Sequence, residues 1–158
     1  MKAREDSNGN ITLYSSTPKS WGAIICGFDT LSDSKLQTYG FYDVQTPSIN
    51  PSQKLGDIYF DSDNSVFTYP VENQTFSETV AQLKTEKISN LKTIYNSKLS
   101  KTDWYVIRAA EGGTAVPSDI ATERSDLRDE CATKESEINA LSTKASIIDY
   151  ELPLIIWV

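Results

Sequence analysis

The chain has 158 residues, a formal net charge of −7 and no histidine, and 39% of its residues are hydrophobic. Phosphate groups repel an acidic chain, which argues against nucleic acid and anionic membrane surfaces as its main partners. The lack of histidine removes the commonest general base and metal ligand, which disfavours an enzyme. The two cysteines, Cys26 and Cys131, lie too far apart in sequence to indicate a zinc cluster or a disulfide framework.

We expect neither a signal peptide nor a membrane-spanning helix in this sequence. The first ten residues, MKAREDSNGN, are polar where a signal peptide needs an apolar run. No segment approaches the roughly 20 apolar residues that a membrane-spanning helix requires. We therefore expect a protein that is made in a cytoplasm, needs no cofactor and has no membrane partner.

Residues 1–75 predict a small β-rich domain. The segment NGNITLYSS indicates a turn followed by a strand from Ile11, and WGAIICGF (21–28) indicates a short buried run between glycines. Leu31, Lys35 and Tyr39 are spaced by four and predict a short helix that Gly40 ends. YGFYDVQTP (39–47) is aromatic and β-branched, as strands are.

Residues 56–70, GDIYFDSDNSVFTYP, predict a β-hairpin with a turn over 61–65. Asp61, Asp63 and Ser65 also resemble the start of a calcium loop, and Glu72 stands at the twelfth position of such a loop. Val66 stands where that loop needs its glycine, so the turn is favoured over the calcium site.

From residue 76 to 150 the apolar period becomes helical, and we predict helices at about 77–100, 102–111 and 118–150. Thr75 and Glu78 form a capping-box pattern before the first helix, and Thr102 and Ser118 are placed to cap the other two. Gly112 and Gly113 can end the second helix. The apolar stripe of the first helix is Val80, Leu83, Ile88, Leu91, Tyr95 and Leu99.

The third predicted helix carries a heptad seam typical of coiled coils. Residues 79–102 hold five lysines and one acid, whereas residues 118–151 hold nine acids and four basic residues. These opposite charges favour a helical hairpin of the first and third helices, and the seam also permits self-association. The seam residues are Ile120, Arg124, Leu127, Cys131, Lys134, Ile138, Leu141, Ala145 and Ile148.

The segment TDWYVIRAAEGGTAVPSDIATERSDLR (102–128) gathers acids, arginines and an aromatic side chain around two glycines. A charged catalytic site would need a nucleophile, a base and an electrophile set, which these residues do not assemble. The helix caps instead indicate a hairpin corner, in which Trp104 is the wedge and buries roughly 200 Å². Arg124 and Arg128 are one turn apart and can pair with Asp103 or Glu111 across the corner.

The chain ends in YELPLIIWV (150–158), an apolar segment that we expect to form a short strand, buried in this chain or added to a partner. We assign Leu154, Ile155, Ile156 and Trp157 to partner binding. The sequence thus predicts an α+β protein with a β-rich domain (1–75), a long helical hairpin of coiled-coil character (76–150) and an apolar C-terminal tail (151–158).

The corner segment resembles one that recurs in small bacteriophage tail proteins of the tail fibre assembly and tail assembly chaperone families. The resemblance covers about residues 31–128 and is most specific over the last 30. It implies that the corner is a structural and interaction site. The matching residues are Leu99, Asp103, Trp104, Arg108, Glu111, Pro117, Arg124, Leu127 and Arg128.

After Arg128 this chain departs from the pattern, because it continues through further heptads into the apolar tail. A chaperone that must release its client has little use for a sticky end, whereas a permanent component can bury one. The expectation is therefore a non-enzymatic virion tail component associated with fibres or baseplate, contacting other tail or fibre proteins and forming a homo-oligomer. The alternative is a fibre assembly chaperone that is absent from the mature virion.

Overall fold

A computed structural model describes residues 1–154. It is a mixed α+β structure in which the described residues form seven short strands in small antiparallel sheets and five α-helices, two of them long. The chain divides into two compact units, one formed by residues 1–74 and the other beginning at Thr75.

The first unit holds the seven strands, one short α-helix and a 3-10 helix over Phe28–Thr30. A three-stranded antiparallel sheet has the order β2-β1-β3, and two further pairs, β4-β7 and β5-β6, are also antiparallel. The elements are β1 (Lys2–Glu5), β2 (Ile11–Tyr14), α1 (Asp33–Gln37), β3 (Tyr42–Asp43), β4 (Gln53–Leu55), β5 (Tyr59–Asp61), β6 (Val66–Thr68) and β7 (Val71–Asn73).

Strand β1 lies in the segment that the sequence indicated only as polar. The Asp6 carboxylate accepts hydrogen bonds from the backbone N–H groups of Asn8 and Asn10, at 2.8 and 2.9 Å, and so shapes the turn into β2. These bonds, led by that of the Asn10 N–H, lower the pKa of Asp6. The turn pairs Glu5 with Ile11 and fixes the register of the predicted strand.

An aromatic cluster forms the core of the first unit. Phe28, Leu36 and Phe41 are buried at its centre, and none of them belongs to a β-strand. The Phe41 ring lies 5.2 Å from that of Phe28 and 4.8 Å from that of Trp21, the latter edge to face. Short strands and loops are therefore held together by aromatic side chains that the turns bring into contact.

The prediction of a buried run over 21–28 is wrong. Ile25 is 87% exposed, and Cys26 is also exposed. Trp21 and Ile24 exchange backbone hydrogen bonds of 2.9 and 3.0 Å, so the chain turns sharply at Gly22, where φ is +58°. The turn directs the next residues outward, and burial resumes at Phe28.

The predicted hairpin over 56–70 is confirmed as β5 and β6. The Asp61 carboxylate accepts bonds from the backbone of Asp63 and Asn64 and from the Asn64 side chain, which is a turn-forming pattern. The Asn64 side chain contributes most to lowering the pKa of Asp61. Within residues 1–154, no group of three or more acids or cysteines is arranged to hold a metal ion.

The helical unit contains α2 (Val80–Ser100), α3 (Asp103–Ala110), α4 (Ser118–Ala140) and α5 (Lys144–Asp149). The predicted cap at Thr75 is wrong, because residues 75–79 are not helical. Thr79 caps α2 instead: its hydroxyl accepts from the Gln82 N–H at 3.2 Å, and the Gln82 side chain accepts from the Thr79 N–H at 2.8 Å. Thr75 with Glu78 and Thr79 with Gln82 both fit the capping-box pattern, and the helix begins after Thr79.

The third predicted helix, 118–150, is interrupted. Helix α4 ends at Ala140, and Leu141 is extended with ψ 142°. Thr143 then caps α5, because its hydroxyl accepts from the Ser146 N–H at 3.1 Å. Pro117, rather than Ser118, occupies the capping position of α4, with no side-chain bond. The break lets the chain turn back so that Lys144 Nζ donates to the Phe76 carbonyl at 2.7 Å.

Helices α2 and α4 pack side by side through a core of Leu91, Tyr95 and Ile138. Lys84 Nζ donates to the Asn139 carbonyl at 2.7 Å, and Lys92 Nζ pairs with Glu135 at 2.9 Å. The residue numbers of the partners fall along α4 as they rise along α2, so the two helices run antiparallel.

Candidate functional site

Arg124 is the centre of the corner that the sequence singled out. Its guanidinium Nη1 donates to the Leu99 carbonyl and to the Thr102 hydroxyl, both at 2.7 Å, and Nη2 pairs with Asp103 at 2.9 Å. Arg124 is only 7% exposed. One buried cation therefore joins the last turn of α2, the start of α3 and the second turn of α4.

This arrangement follows from helix chemistry. The last carbonyl groups of a helix have no partner within it, and a cation at that end is favoured by both hydrogen bonding and the helix dipole. Asp103 is the first residue of α3, where a negative charge is favoured. The predicted pairing of Arg124 with Asp103 is present. Thr102 precedes α3 as predicted but donates its hydroxyl to the Leu99 carbonyl at 3.0 Å, so its side chain makes no cap bond to α3.

The prediction that Trp104 is a buried wedge is wrong. Trp104 is 50% exposed, and no residue of α3 is buried. Val106 and Ile107 are exposed as well, whereas Tyr105 and Ala109 are partly buried. The wedge interpretation failed because Arg124 occupies the interior of the corner, where its hydrogen bonds hold the helix ends.

Arg108 lies over the aromatic side chains of its own helix. Its guanidinium carbon is 4.7 Å from the centre of the Trp104 ring and 5.4 Å from that of Tyr105, and the two rings are 3.8 Å apart. These are cation–π distances. Arg108 Nε is buried without a hydrogen-bond partner among the described residues. These contacts all lie within α3 and stabilise the helix internally.

Helix α3 ends where the sequence predicted. Glu111 follows its last residue, and Gly112 adopts φ +80°, a left-handed conformation that favours glycine. Gly113 donates its N–H to the Arg108 carbonyl at 2.9 Å, and a Cβ on Gly113 would lie 2.8 Å from Arg108. The described structure gives Glu111 no ion pair with either arginine.

The remaining predicted corner residues lie on α4 or just before it. Pro117 precedes the helix, and its carbonyl accepts from the Ala121 N–H at 2.9 Å. Leu127 is partly buried and packs against the core of α2 and α4. Arg128 is exposed and donates to the Arg124 carbonyl at 3.3 Å. The structure thus brings Asp103 and Arg124 together, and it gives Arg128 a separate, more peripheral position.

Only part of the predicted partner-binding tail is described. Residues 151–154 form no strand; Leu152 packs against the core, and Leu154 is 81% exposed. Ile155, Ile156 and Trp157 lie outside the described residues, so their predicted binding role stays a prediction.

Two polar side chains of the helical unit, Lys87 and Tyr95, have environments that the sequence did not predict. Lys87 Nζ donates to the carbonyls of Ile148 and Tyr150, both at 3.1 Å, and burial lowers its pKa. Tyr95 is buried, its hydroxyl makes no hydrogen bond within the described residues, and burial followed by nearby Glu130 raises its pKa. A positive charge within an apolar stripe was the available sequence signal for Lys87; nothing in the stripe distinguished Tyr95 from an ordinary core residue.

The chemistry available at the corner is that of a structural ion pair. The Arg124 guanidinium already makes three hydrogen bonds within the chain. Burial raises the pKa of the Cys131 thiol on the seam, which makes it a poor nucleophile.

No described helix is both long and apolar enough to cross a lipid bilayer. Comparisons with protein-family models, curated proteins and solved structures found no significant match.

Proposed function

We propose that this chain is a non-enzymatic structural component of a bacteriophage tail, associated with fibres or baseplate and acting through protein–protein contacts. It would be made in the host cytoplasm, become part of the virion tail and need no cofactor. Its partners would be other tail or fibre proteins and copies of itself.

The observation that carries the proposal is the set of hydrogen bonds made by Arg124. Leu99, Asp103 and Arg124 belong to the phage tail motif that this sequence resembles, and in this chain all three meet through one guanidinium. A motif residue that ties three helices together favours a structural role for the motif over a catalytic one.

The exposed face of α3 supports action through contacts. Trp104 and Ile107 are exposed large apolar residues three positions apart, so they lie on the same side of this helix of eight residues. Exposed apolar side chains that are grouped, rather than scattered, are typical of binding surfaces. Trp104 is also the aromatic member of the motif, so the resemblance and the exposure favour the same surface.

The proposal includes coiled-coil character and self-association. Ile138 and Arg124 of the predicted heptad seam are buried, and Leu127 and Cys131 are partly buried against α2. The acids Asp119, Glu123 and Asp126 of α4 are exposed. We propose that the helical unit carries the contacts between copies, which sedimentation over a range of concentrations would detect.

Mass spectrometry of purified virions tests the proposal. In particles of the phage that encodes this chain, we expect its peptides at a fixed ratio to known tail proteins. If the chain is needed for infectious particles but absent from them, the structural role fails and the assembly chaperone is supported.

One double variant and a matched control test the exposed surface of α3. Trp104→Ser with Ile107→Ser should leave the circular dichroism spectrum unchanged but lower incorporation into particles at least tenfold. Val71→Ser, which alters an exposed apolar residue of the first unit, is the matched control and should incorporate normally. Normal incorporation of the double variant would refute a role for α3 in assembly.

A further inference from the structure

We propose that α3 is a hinged arm whose docked position is held by the Arg124 guanidinium. The proposal concerns a conformational property of the fold and does not depend on the function proposed above. It rests on three observations: how α3 is attached, how it is braced within itself, and how the backbone bends at its two ends.

The attachment of α3 is polar. A helix in a folded protein usually owes its position to a buried apolar face, but α3 has no buried residue and exposes Trp104, Val106 and Ile107. What fixes its first turn is the bond from Arg124 to Asp103, supported by the bond to Thr102. Hydrogen bonds to charged groups depend on geometry and are lost together when the guanidinium is removed.

The internal contacts of α3 permit it to move as one body. The Trp104 and Tyr105 rings contact each other at an interplanar angle of 31°, and Arg108 lies over both. Because all three side chains belong to α3, these contacts can move with the helix. The Gly113 N–H also bonds back to the Arg108 carbonyl.

Both ends of α3 have a backbone that can act as a hinge. Thr102 has φ −117° and ψ 7°, outside the helical range, and separates α2 from α3. At the other end, Gly112 is left-handed, and the residues from 111 to Pro117 form a non-helical connection to α4. A rotation at these two points would carry α3 away without unwinding α2 or α4.

Arg124→Met is the variant that tests the arm, because methionine fills similar space but cannot donate. Amide hydrogen exchange compares residues 107–113 with residues 88–95 at the centre of α2. In Arg124→Met, we expect amides at 107–113 to exchange within tenfold of the rate of an unfolded peptide, because an undocked helix of eight residues is marginal, while amides at 88–95 remain at least a hundredfold protected. Protection at 107–113 that stays as high as that at 88–95 would show that α3 opens only together with the whole unit and would overturn the arm.

Two further variants complete the test. Arg128→Met removes the neighbouring arginine, which bonds to the Arg124 carbonyl and to no other described residue, and should change exchange at 107–113 less than threefold. Asp103→Asn leaves the bonds of Arg124 to Leu99 and Thr102 and removes one charge. It should reduce protection at 107–113 in the same selective way, but by a smaller factor than Arg124→Met. Wild-type protection in Asp103→Asn would overturn the assignment of Asp103 as the arm's attachment point.

Discussion

In the first unit, Phe28 and Phe41 are fully buried although neither lies in a β-strand, whereas in the helical unit Leu91, Tyr95 and Ile138 are buried along two long helices. The first core depends on turns that bring distant aromatic residues together, and the second depends on a side-chain period that repeats every turn. A core of the first kind is sensitive to single aromatic side chains. A core of the second kind spreads its stability over many similar contacts.

The largest effect is expected for Phe41→Ala. Phe41 contacts Tyr14, Trp21 and Phe28, so truncation leaves a cavity at the centre of the first unit. We expect a loss of about 3–5 kcal/mol. Amide resonances of residues 1–74 should collapse toward unfolded positions while those of α2 and α4 persist. Leu13→Ala, at an exposed position, is the control, and equal effects of the two would refute the aromatic core.

Leu91→Ala probes the helical core in the same way. Leu91 is fully buried in one cluster with Tyr95 and Ile138, and its truncation should cost about 2–4 kcal/mol. Chemical unfolding followed by far-ultraviolet circular dichroism measures the loss. The matched control is Ile107→Ala, because Ile107 is 56% exposed and should cost less than about 1 kcal/mol. A larger loss for Ile107→Ala would contradict the outward orientation of α3.

The start of α2 gives a smaller effect with a direct control. Thr79→Ala removes the side chain that caps the helix and should lower the free energy of unfolding by about 1 kcal/mol. Thr75→Ala, at the position that the sequence favoured, should change it by less than half as much. The reverse order would restore the original prediction that α2 begins after Thr75.

Stability should also change with pH. Burial, with a hydrogen bond to the Glu137 carboxylate and its negative charge, raises the pKa of Tyr150 from 10.0 to about 12. Because the folded state holds this proton more tightly, the stabilisation is fully present below pH 10 and is lost as pH rises toward 12. Tyr150→Phe should therefore flatten the alkaline decline in the free energy of unfolding. An unchanged decline would assign it to other groups, such as Tyr95.

The sequence was sufficient for those elements whose signals are local. The β5–β6 hairpin, the short helix α1 and the helix end at Gly112 follow from turn residues and glycine conformations that need no tertiary context. The predicted start of α2 was wrong because Thr75 and Thr79 both fit a capping pattern. Local chemistry alone does not say which cap the chain uses.

Other features depend on contacts between distant residues. The aromatic core joins Tyr14 to Phe41 through turns whose geometry no periodicity reveals. At the corner, an arginine on an apolar seam was foreseen as a partner of Asp103, but Trp104 was assigned the buried position. Size and hydrophobicity favoured the tryptophan, whereas the unpaired carbonyl at the end of α2 favours the cation. Such competition is decided only when both helices are in place.

The central claim is that Arg124, and not Trp104, holds the corner together, and chemical unfolding of two variants tests it most directly. Arg124→Met should lower the free energy of unfolding of the helical unit by about 2–3 kcal/mol, because it removes hydrogen bonds made by a buried charge. Trp104→Ala should lower it by about 1 kcal/mol, because half of that side chain is already in water. A larger loss for Trp104→Ala than for Arg124→Met would contradict the account.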